Sequence, residues 1–126
     1  MRERAARFKS PNNRVTPLTL DVTSVSQIQQ AAGEVDTLDV RINNAGVAIY
    51  DNLSNSDVIE QHLAVNLLGP FKVTHAFLPL LRRSKGAIVN NLSLTALAAL
   101  PVIPGCSISK AAAFNQRLVV GSCGQL

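Results

Sequence analysis

Two pairs of side chains in the stretch GCSISKAAAF could do chemistry. Ser107 and Lys110 have the spacing of a serine nucleophile and its lysine base. Cys106 stands four residues before Lys110, where a thiolate beside the ammonium group would be a second candidate nucleophile. The motifs SDN and KTG that accompany such a serine–lysine pair do not occur in the chain, and no second catalytic group supports the thiolate. Neither pair by itself predicts a nucleophilic enzyme.

Composition bounds the kind of protein. With 126 residues the chain is one domain at most, and 47% apolar against 16% charged residues exclude a disordered chain. No apolar run reaches the length of a membrane span and the N-terminus has no apolar signal core, so we expect a cytoplasmic protein with no membrane partner. Cys106 and Cys123 have neither metal-ligand nor redox-pair spacing, which predicts reduced thiols and no metal site.

The net charge of +4 is concentrated in the first fourteen residues. Five basic side chains stand there against one glutamate: Arg2, Arg4, Arg7, Lys9 and Arg14. A nucleic-acid-binding arm or a targeting peptide is one interpretation of such a cluster, and a solvated terminus is the other. Because no interleaved aromatic residues and no recognition motif follow, we expect a poorly ordered basic segment over residues 1–14 and no nucleic-acid partner.

Short apolar runs alternate with helical patterns along the rest of the chain, which is typical of strand–helix–strand units and a parallel sheet. The predicted strands cover residues 15–22, 37–43 and 86–94. The predicted helices cover residues 23–35, 54–83 and 107–120. Thr23 or Ser24 would cap the first helix, and a capping box of Ser54 and Asp57 would start the second. The sequence thus indicates one α/β domain over residues 15–126.

One detail of the long helical pattern bears on mechanism. Pro70 follows Asn66 by four residues, so the Asn66 carbonyl would lack its amide partner in a regular helix. Either the helix kinks at this point, or two separate helices meet there. Both alternatives predict unusual exposure of Asn66 for a residue in the middle of a helix.

Five short motifs, taken in order, resemble those of the short-chain dehydrogenase/reductase family. They are LDV with Asp21, NNAG at residues 43–46, VNLLG with Asn66, IVNNLS with Ser93 and SKAAA with Lys110. Each motif alone is weak evidence, but five in the family's order and spacing are a strong signal. The resemblance implies a partial, Rossmann-like, doubly wound parallel sheet in which the first two strands and the C-terminal strands are missing.

The resemblance also implies an oxidoreductase that uses NAD or NADP and acts on a small-molecule carbonyl or alcohol. Asp21 and Val22, at the carboxyl end of a strand, would hold the adenine end of the cofactor. Asn43, Ala45 and Gly46 would approach the cofactor through their backbone, where only small residues fit.

The same resemblance implies the catalytic roles. Asn66 would hold a water of a proton relay through its carbonyl, and Ser93 would hydrogen-bond the substrate carbonyl. Lys110 would bind the nicotinamide ribose and lower the pKa of a proton donor four residues before it. Local alternatives exist: Asp21 could help to cap the next helix, NNAG could be a turn, Ser93 an ordinary loop hydroxyl and Lys110 a solvated cation.

The chain departs from the family's pattern at the proton donor. The position of the family's tyrosine, thirteen residues after Ser93, holds Cys106. A thiol has an ordinary pKa of about 8.5, so acidity is not the obstacle. The obstacle is reach, because the sulfur lies close to its own backbone and its hydrogen bonds are weak. Tyr50, the only tyrosine, matches no catalytic position, so we expect at least a large loss of activity.

Other departures concern the sheet and its cofactor loop. No glycine precedes Asp21, so the family's glycine-rich phosphate loop is absent and the pyrophosphate has no backbone cradle. The strand predicted at residues 15–22 has no neighbour in the family's strand order and should be loose or paired by another chain. Arg41 stands inside a strand with apolar neighbours, where an unpaired guanidinium would be costly. His62 and His75 are expected to be surface or satisfied core residues.

Two functions follow from these observations. The first is an NAD(P)-dependent oxidoreductase of the short-chain dehydrogenase/reductase type, impaired by the residue at position 106. The alternative is a catalytically inactive, truncated relative or an interaction module. Such a module would associate with its own copies or with intact family members through the helices at residues 54–83 and 107–120.

Overall fold

The computed structural model of the protein describes residues 15–123. Its helices are α1 (Val25–Gly33), α2 (Ser56–Leu63), α3 (Gly69–Ser84) and α4 (Pro104–Cys123). A π-helical turn (Ala64–Leu68) joins α2 to α3, and a 3-10 turn (Leu94–Ala96) precedes α4. The strands are β1 (Val40–Asn43) and β2 (Ala87–Asn90). The basic segment predicted at residues 1–14 lies outside the described residues.

β1 and β2 pair in parallel, in register from Val40 opposite Ala87 to Asn43 opposite Asn90. Parallel strands need a long crossover, and here α2 and α3 supply it. The strands predicted at residues 37–43 and 86–94 are confirmed, although each is shorter than predicted. The arrangement is the α/β class that the alternating pattern indicated.

The hydrophobic core forms between α1 and α3. Ile28 and Ala31 of α1 pack with Val73 and Phe77 of α3, at the spacing that places apolar residues on one face of each helix. Ser24 caps α1, because its hydroxyl accepts a hydrogen bond of 3.4 Å from the backbone amide three residues on. The predicted first helix and the second of its two candidate caps are thereby confirmed.

The strand predicted at residues 15–22 is wrong. These residues form no strand, and residues 15–19 are exposed. A parallel strand needs neighbours that take up its amide and carbonyl groups, and within residues 15–123 only β1 and β2 pair. Leu20 and Val22 nevertheless pack against the core between α1 and α3, so the apolar pattern here reflects burial without strand pairing.

The capping box predicted at Ser54 is also wrong, because Asn55 caps α2. The side-chain oxygen of Asn55 accepts a hydrogen bond of 2.8 Å from the backbone amide of Asp57. Upstream, the side chains of Asp51 and Asn52 each accept the amide two residues on, at 3.1 Å. These consecutive turns keep Ser54 outside the helix, and the next residue therefore becomes the cap.

The long helical stretch runs without interruption from Ser56 to Ser84 and passes through Pro70. The π-helical turn accommodates Pro70 within the helix. In this turn the Gly69 amide donates its hydrogen to the carbonyl of Ala64, five residues back. A wider turn at this point lets Pro70 enter in the first turn of α3, where its missing amide hydrogen is tolerated. Asn66 lies within the π turn and is only 2% exposed, so the predicted exposure of this residue is wrong.

The stretch Ser56–Ser84 is long and apolar enough to cross a membrane by length and composition alone. The sequence-based statement that no run reaches this length is therefore wrong for the helix as a whole. The core helix of a folded domain passes the same test, and Val73, Phe77 and Leu81 of this stretch are buried within the fold. Val73 and Phe77 lie in the core between α1 and α3, and 28% of the apolar window of this stretch is buried.

One face of the sheet is apolar and uncovered within the described chain. Val40, Ile42 and Val89 are each about half exposed or more, at 54, 65 and 47%, and we call these three residues the open face.

Arg41 lies between Val40 and Ile42 on β1 and is half-buried, with its guanidinium donating a hydrogen bond to the Thr74 hydroxyl. Burial lowers the pKa of Arg41 to about 10. Arg41 is therefore partly desolvated, as its strand position implied, but it has a hydrogen-bond partner.

Candidate active site

The carboxyl ends of β1 and β2 lie side by side and are joined by asparagine pairs. Asn43 Nδ2 donates to Asn90 Oδ1 at 2.7 Å, and Asn91 Nδ2 donates to Asn44 Oδ1 at 2.7 Å. The backbone amide of Asn91 also donates to the carbonyl of Asn43 at 2.9 Å. Ligands of open parallel sheets bind at this edge. The asparagine pairs therefore fix the two loops that would carry a binding site.

Asn66 reaches the first of these loops from the π turn. Its Oδ1 accepts a hydrogen bond of 2.8 Å from the Val47 amide, and its Nδ2 donates to the Val47 carbonyl at 3.0 Å. Nδ2 also donates to the hydroxyl of Ser109 at 2.9 Å. Both amide hydrogens and the oxygen of this buried side chain are engaged. The side chain thus holds the loop after β1 in place.

Gly46 fits closely between two of the predicted site residues. A Cβ atom added at Gly46 would lie 3.3 Å from Asn66 Oδ1 and 3.3 Å from Lys110 Nζ. Both contacts are tighter than ordinary van der Waals packing, so the small residue matters here. The structure brings Asn66, Gly46 and Lys110 together, although they are far apart in the sequence. Ala45 and Gly46 are exposed, as a loop that approaches a ligand through its backbone requires.

Ser93 is half-buried and Cys106 is buried. Ser93 caps the 3-10 turn, since its hydroxyl accepts a hydrogen bond of 3.2 Å from the Thr95 amide. This bond uses an acceptor position and leaves the hydroxyl hydrogen of Ser93 available to a ligand. Cys106 is on the first turn of α4 and only 4% exposed, so its thiol has little access to solvent.

Asp21 and Val22 have local structural roles, although Ser24 and not Asp21 caps α1. The Asp21 carboxylate accepts hydrogen bonds from the hydroxyl and the amide of Thr23, at 2.7 and 2.8 Å. These bonds, the hydroxyl first, lower the pKa of Asp21. The Val22 side chain packs on the start of α3, where a Cβ added at Gly69 would meet Val22 Cγ2 at 2.7 Å. Asp21 therefore forms the turn before α1 with an exposed carboxylate, and Val22 anchors that turn to the core.

His62 holds the loop after β1 through a hydrogen bond from the Ile49 amide. The side chain is fully buried, and its Nε2 accepts a hydrogen bond of 3.0 Å from the Ile49 amide. In that tautomer Nδ1 donates to the Val58 carbonyl at 2.8 Å. His62 is thus the satisfied core residue that was one of the two predictions, whereas His75 is exposed. Among the described residues, no group of three His, Cys, Asp or Glu side chains could hold a metal ion.

Two buried hydroxyl residues of the site were missed from the sequence. Ser109, a residue of α4, is fully buried against Asn66, and Thr95 is 7% exposed with no hydrogen-bond partner for its hydroxyl. Ser109 stands beside Lys110 in the SKAAA motif, and this adjacency was the one signal that could have singled it out. Nothing in the sequence around Thr95 distinguishes it from an ordinary loop threonine.

Known proteins similar to this chain share one family. The sequence profile of the short-chain dehydrogenases matches residues 1–116. Estradiol 17-beta-dehydrogenase 2 of Rattus norvegicus is 36% identical over 113 residues, which are 82% of this chain and 30% of that protein. Retinol dehydrogenase 12 of Bos taurus is 39% identical over 89 residues, which are 68% of this chain and 28% of that protein.

Solved structures show the same kinship. A short-chain dehydrogenase from Burkholderia cenocepacia, in complex with NADP, superposes with a TM-score of 0.84 at 32% identity, covering 97% of this chain and 52% of that one. An alcohol dehydrogenase from Thermococcus sibiricus, complexed with 5-hydroxy-NADP, superposes with a TM-score of 0.70 at 26% identity, covering 75% of this chain and 43% of that one. The partial Rossmann-like fold is confirmed. The chain spans about half the length of these structures and less than a third of the two curated relatives named above.

Proposed function

This chain belongs to the short-chain dehydrogenase family, and on that premise we propose that it is an oxidoreductase that binds NADP or NAD and acts on a carbonyl or alcohol, with impaired chemistry. The observation that carries the proposal is the placement of Gly46 against both Asn66 and Lys110 at the carboxyl ends of the strands. A side chain at residue 46 would fill the space beside the Lys110 ammonium group. The glycine keeps the backbone open to a ligand there.

The residues at this site fit the nicotinamide end of the cofactor. Lys110 Nζ would hold the ribose hydroxyls, and the exposed backbone of Ala45 and Gly46 would lie along the same ribose. The cofactor supplies the hydride when it is bound. Ser93 would orient the substrate carbonyl with the hydroxyl hydrogen that its capping bond leaves available. The phosphates would need a glycine-rich loop, and no glycine occurs in this sequence before Gly33.

Cys106 weakens the proton-transfer step. A carbonyl that receives hydride must also receive a proton at its oxygen, which a positioned acid normally delivers. The Cys106 sulfur is nearly inaccessible to solvent and close to its own backbone. The water that the family resemblance implies at the Asn66 carbonyl would then be an alternative proton source. We therefore propose slow catalysis for the chain as it stands.

The substrate we propose is an apolar alcohol or carbonyl. Leu94 and Leu97, which follow Ser93, are 82% and 72% exposed at this end of the sheet. Two relatives are named for estradiol and retinol. An apolar molecule lying over these leucines would bring its oxygen toward the Ser93 hydroxyl.

Cofactor binding tests the proposal directly. Fluorescence titration of the whole chain with NADPH and NADH should show saturable binding, and Lys110→Met should weaken it by about tenfold or more. Lys72→Met is the matched control, because Lys72 is an α3 residue that also loses an ammonium group. Absence of binding at millimolar cofactor, or equal losses in the two variants, would end the proposal.

A second function has one specific observation in its favour. The open face is the side of the sheet that a parallel fold normally covers, and an apolar surface of this kind favours association. A catalytically silent module that docks onto its own copies or onto intact family members would use this face in addition to the helices at residues 54–83 and 107–120. Reduction of carbonyls by the purified monomer would contradict this alternative.

A further inference from the structure

Ser109 forms the buried contact between the π turn and α4. The residue is completely buried, and its hydroxyl accepts a hydrogen bond of 2.9 Å from Asn66 Nδ2. The same hydroxyl donates to the Cys106 carbonyl at 2.8 Å. Its donor is therefore used on its own helix, and one acceptor position is used by a residue 43 positions away.

The bond to Ser109 continues through Asn66 to the loop after β1. Asn66 holds Val47 by its amide and by its carbonyl, at 2.8 and 3.0 Å. Val47 follows Gly46, whose backbone lies against both Asn66 Oδ1 and Lys110 Nζ. A single path of hydrogen bonds thus joins the first turn of α4, which also bears Cys106, to the loop that faces Lys110.

We infer that Ser109 is a positioning residue, which sets the distance between the Gly46 loop and Lys110 by orienting the Asn66 amide. The inference rests on the proposed function only in so far as this distance governs cofactor affinity. Without the hydroxyl, one amide hydrogen of Asn66 would be buried without a partner. The amide group would then turn to recover a partner, and the Val47 backbone would lose its fixed position.

Ser107 provides a matched control on the same turn of α4. It is also buried, at 4% exposure, and its hydroxyl is also engaged twice. It accepts a bond of 3.1 Å from the Leu100 amide and donates to the Ile103 carbonyl at 3.2 Å. Its partners belong to the loop before α4, so Ser107→Ala removes an equally buried hydroxyl without touching Asn66.

Nitrogen–proton NMR correlation spectra of the Asn66 side-chain amide test the inference without any cofactor. In Ser109→Ala, one of its two proton signals should shift and exchange with solvent at least about tenfold faster, and the Val47 amide should follow; in Ser107→Ala, none should change. Ser109→Cys, which has nearly the same size but pairs weakly with amides, serves if the alanine variant does not fold. Unchanged Asn66 signals in the Ser109 variants, or equal changes in Ser107→Ala, would overturn the inference.

NADPH titration of the same variants links the position to binding. We expect about a tenfold loss of affinity in Ser109→Ala and none in Ser107→Ala. Equal losses in the two would mean that Ser109 acts only through general stability and would refute its positioning role. If the unmodified chain binds no NADPH, the proposed function fails, while the NMR signals still decide whether Ser109 orients Asn66.

Discussion

Cys106 and Lys110 stand one helical turn apart on α4, which is the spacing that lets neighbouring side chains on a helix meet. A tyrosine at residue 106 would carry its hydroxyl to the end of a rigid ring, whereas the cysteine sulfur stays near the helix backbone. The lysine would then have no acid to activate. Under the proposed function, the chemical capacity of the site would therefore depend on a single side chain more than on the surrounding fold.

Restoring the phenol should restore proton transfer. We expect Cys106→Tyr to raise the rate of NADPH-dependent ketone reduction by about 100-fold or more over the unmodified chain, because a positioned acid contributes about that much. Cys106→Ser, which returns a hydroxyl without the reach, should give no gain. Steady-state assays measure the rates, and circular dichroism shows whether each variant is folded. If the folded Cys106→Tyr variant reduces the ketone no faster than Cys106→Ser, the residue at position 106 does not limit proton transfer.

The residues of the site could be named from the sequence more easily than their partners. Asn66, Gly46 and Lys110 were singled out by motif, and the structure brings them together. The full engagement of the Asn66 side chain was not foreseeable, because Val47 and Ser109 are 19 residues before it and 43 after it. Such long-range bonds carry no local sequence signal. Asp21 shows the converse, since its local bond to Thr23 is ordinary turn chemistry before α1, while Ser24 and not Asp21 caps that helix.

At the scale of helices and strands, competition between neighbouring polar residues decides where an element begins. Ser54 and Asn55 are both good N-cap residues. Two successive side-chain turns upstream place Ser54 outside α2, and Asn55 takes the position. Sequence alone could locate the start of this helix within two residues but could not choose between adjacent caps.

Substitution of the two candidate caps separates them. Asn55→Ala should lower the free energy of unfolding by about 1 kcal/mol, the usual effect of a lost cap. Ser54→Ala should change it by less than about 0.5 kcal/mol, as for an ordinary surface residue. Urea unfolding followed by circular dichroism gives both values. A larger decrease in the free energy of unfolding for Ser54→Ala than for Asn55→Ala would show that Ser54 is the N-cap of α2.

The contact of Val22 with α3 leads to a second prediction at this scale. A Cβ atom at Gly69 would lie 2.7 Å from Val22 Cγ2, and overpacking costs about 1–3 kcal/mol. Alanine's better helix propensity recovers at most about 1 kcal/mol of this. With that gain subtracted, Gly69→Ala should lower the free energy of unfolding by up to about 2 kcal/mol.

Gly33→Ala is the control, because nothing lies within 4 Å of a Cβ atom at Gly33. It should leave the free energy of unfolding unchanged or raise it slightly. Adding Val22→Ala to Gly69→Ala should remove part of the strain from the contact. If Gly69→Ala is as stable as Gly33→Ala, the close packing of Val22 on α3 is disproved.

At the scale of the whole molecule, the described residues form a two-stranded sheet that is covered on one side only. α1 and α3 form a core with Leu20 and Val22, while the open face on the other side remains exposed. The alternation of strands and helices was sufficient to predict the α/β class. It could not predict that residues 15–22 stay unpaired, because strand formation depends on neighbours and not only on the strand's own composition.

The open face should make the protein associate. We expect sedimentation velocity to show concentration-dependent oligomers, and Ile42→Thr with Val89→Thr to weaken association by about tenfold or more, since threonine keeps strand propensity while reducing apolar area. Leu94→Thr with Leu97→Thr is the control, because it removes exposed apolar area elsewhere. A strictly monomeric unmodified chain, or an equal effect of the two pairs, would contradict a binding role for the open face.

The single strand ladder also sets the order in which the protein can fold. Val40 pairs with Ala87, and every rung of the described sheet joins two residues that are 47 positions apart in the sequence (87 − 40). Chains dominated by such distant pairings fold slowly, because the entropy of closure is lost before any rung forms. The helical stretch Ser56–Ser84 lies between those positions and shortens the gap as it forms. Helix formation should therefore come before strand pairing, and the hydrogen bonds from the Asn66 side chain to Val47 and Ser109 would form only when the strand ends are brought together.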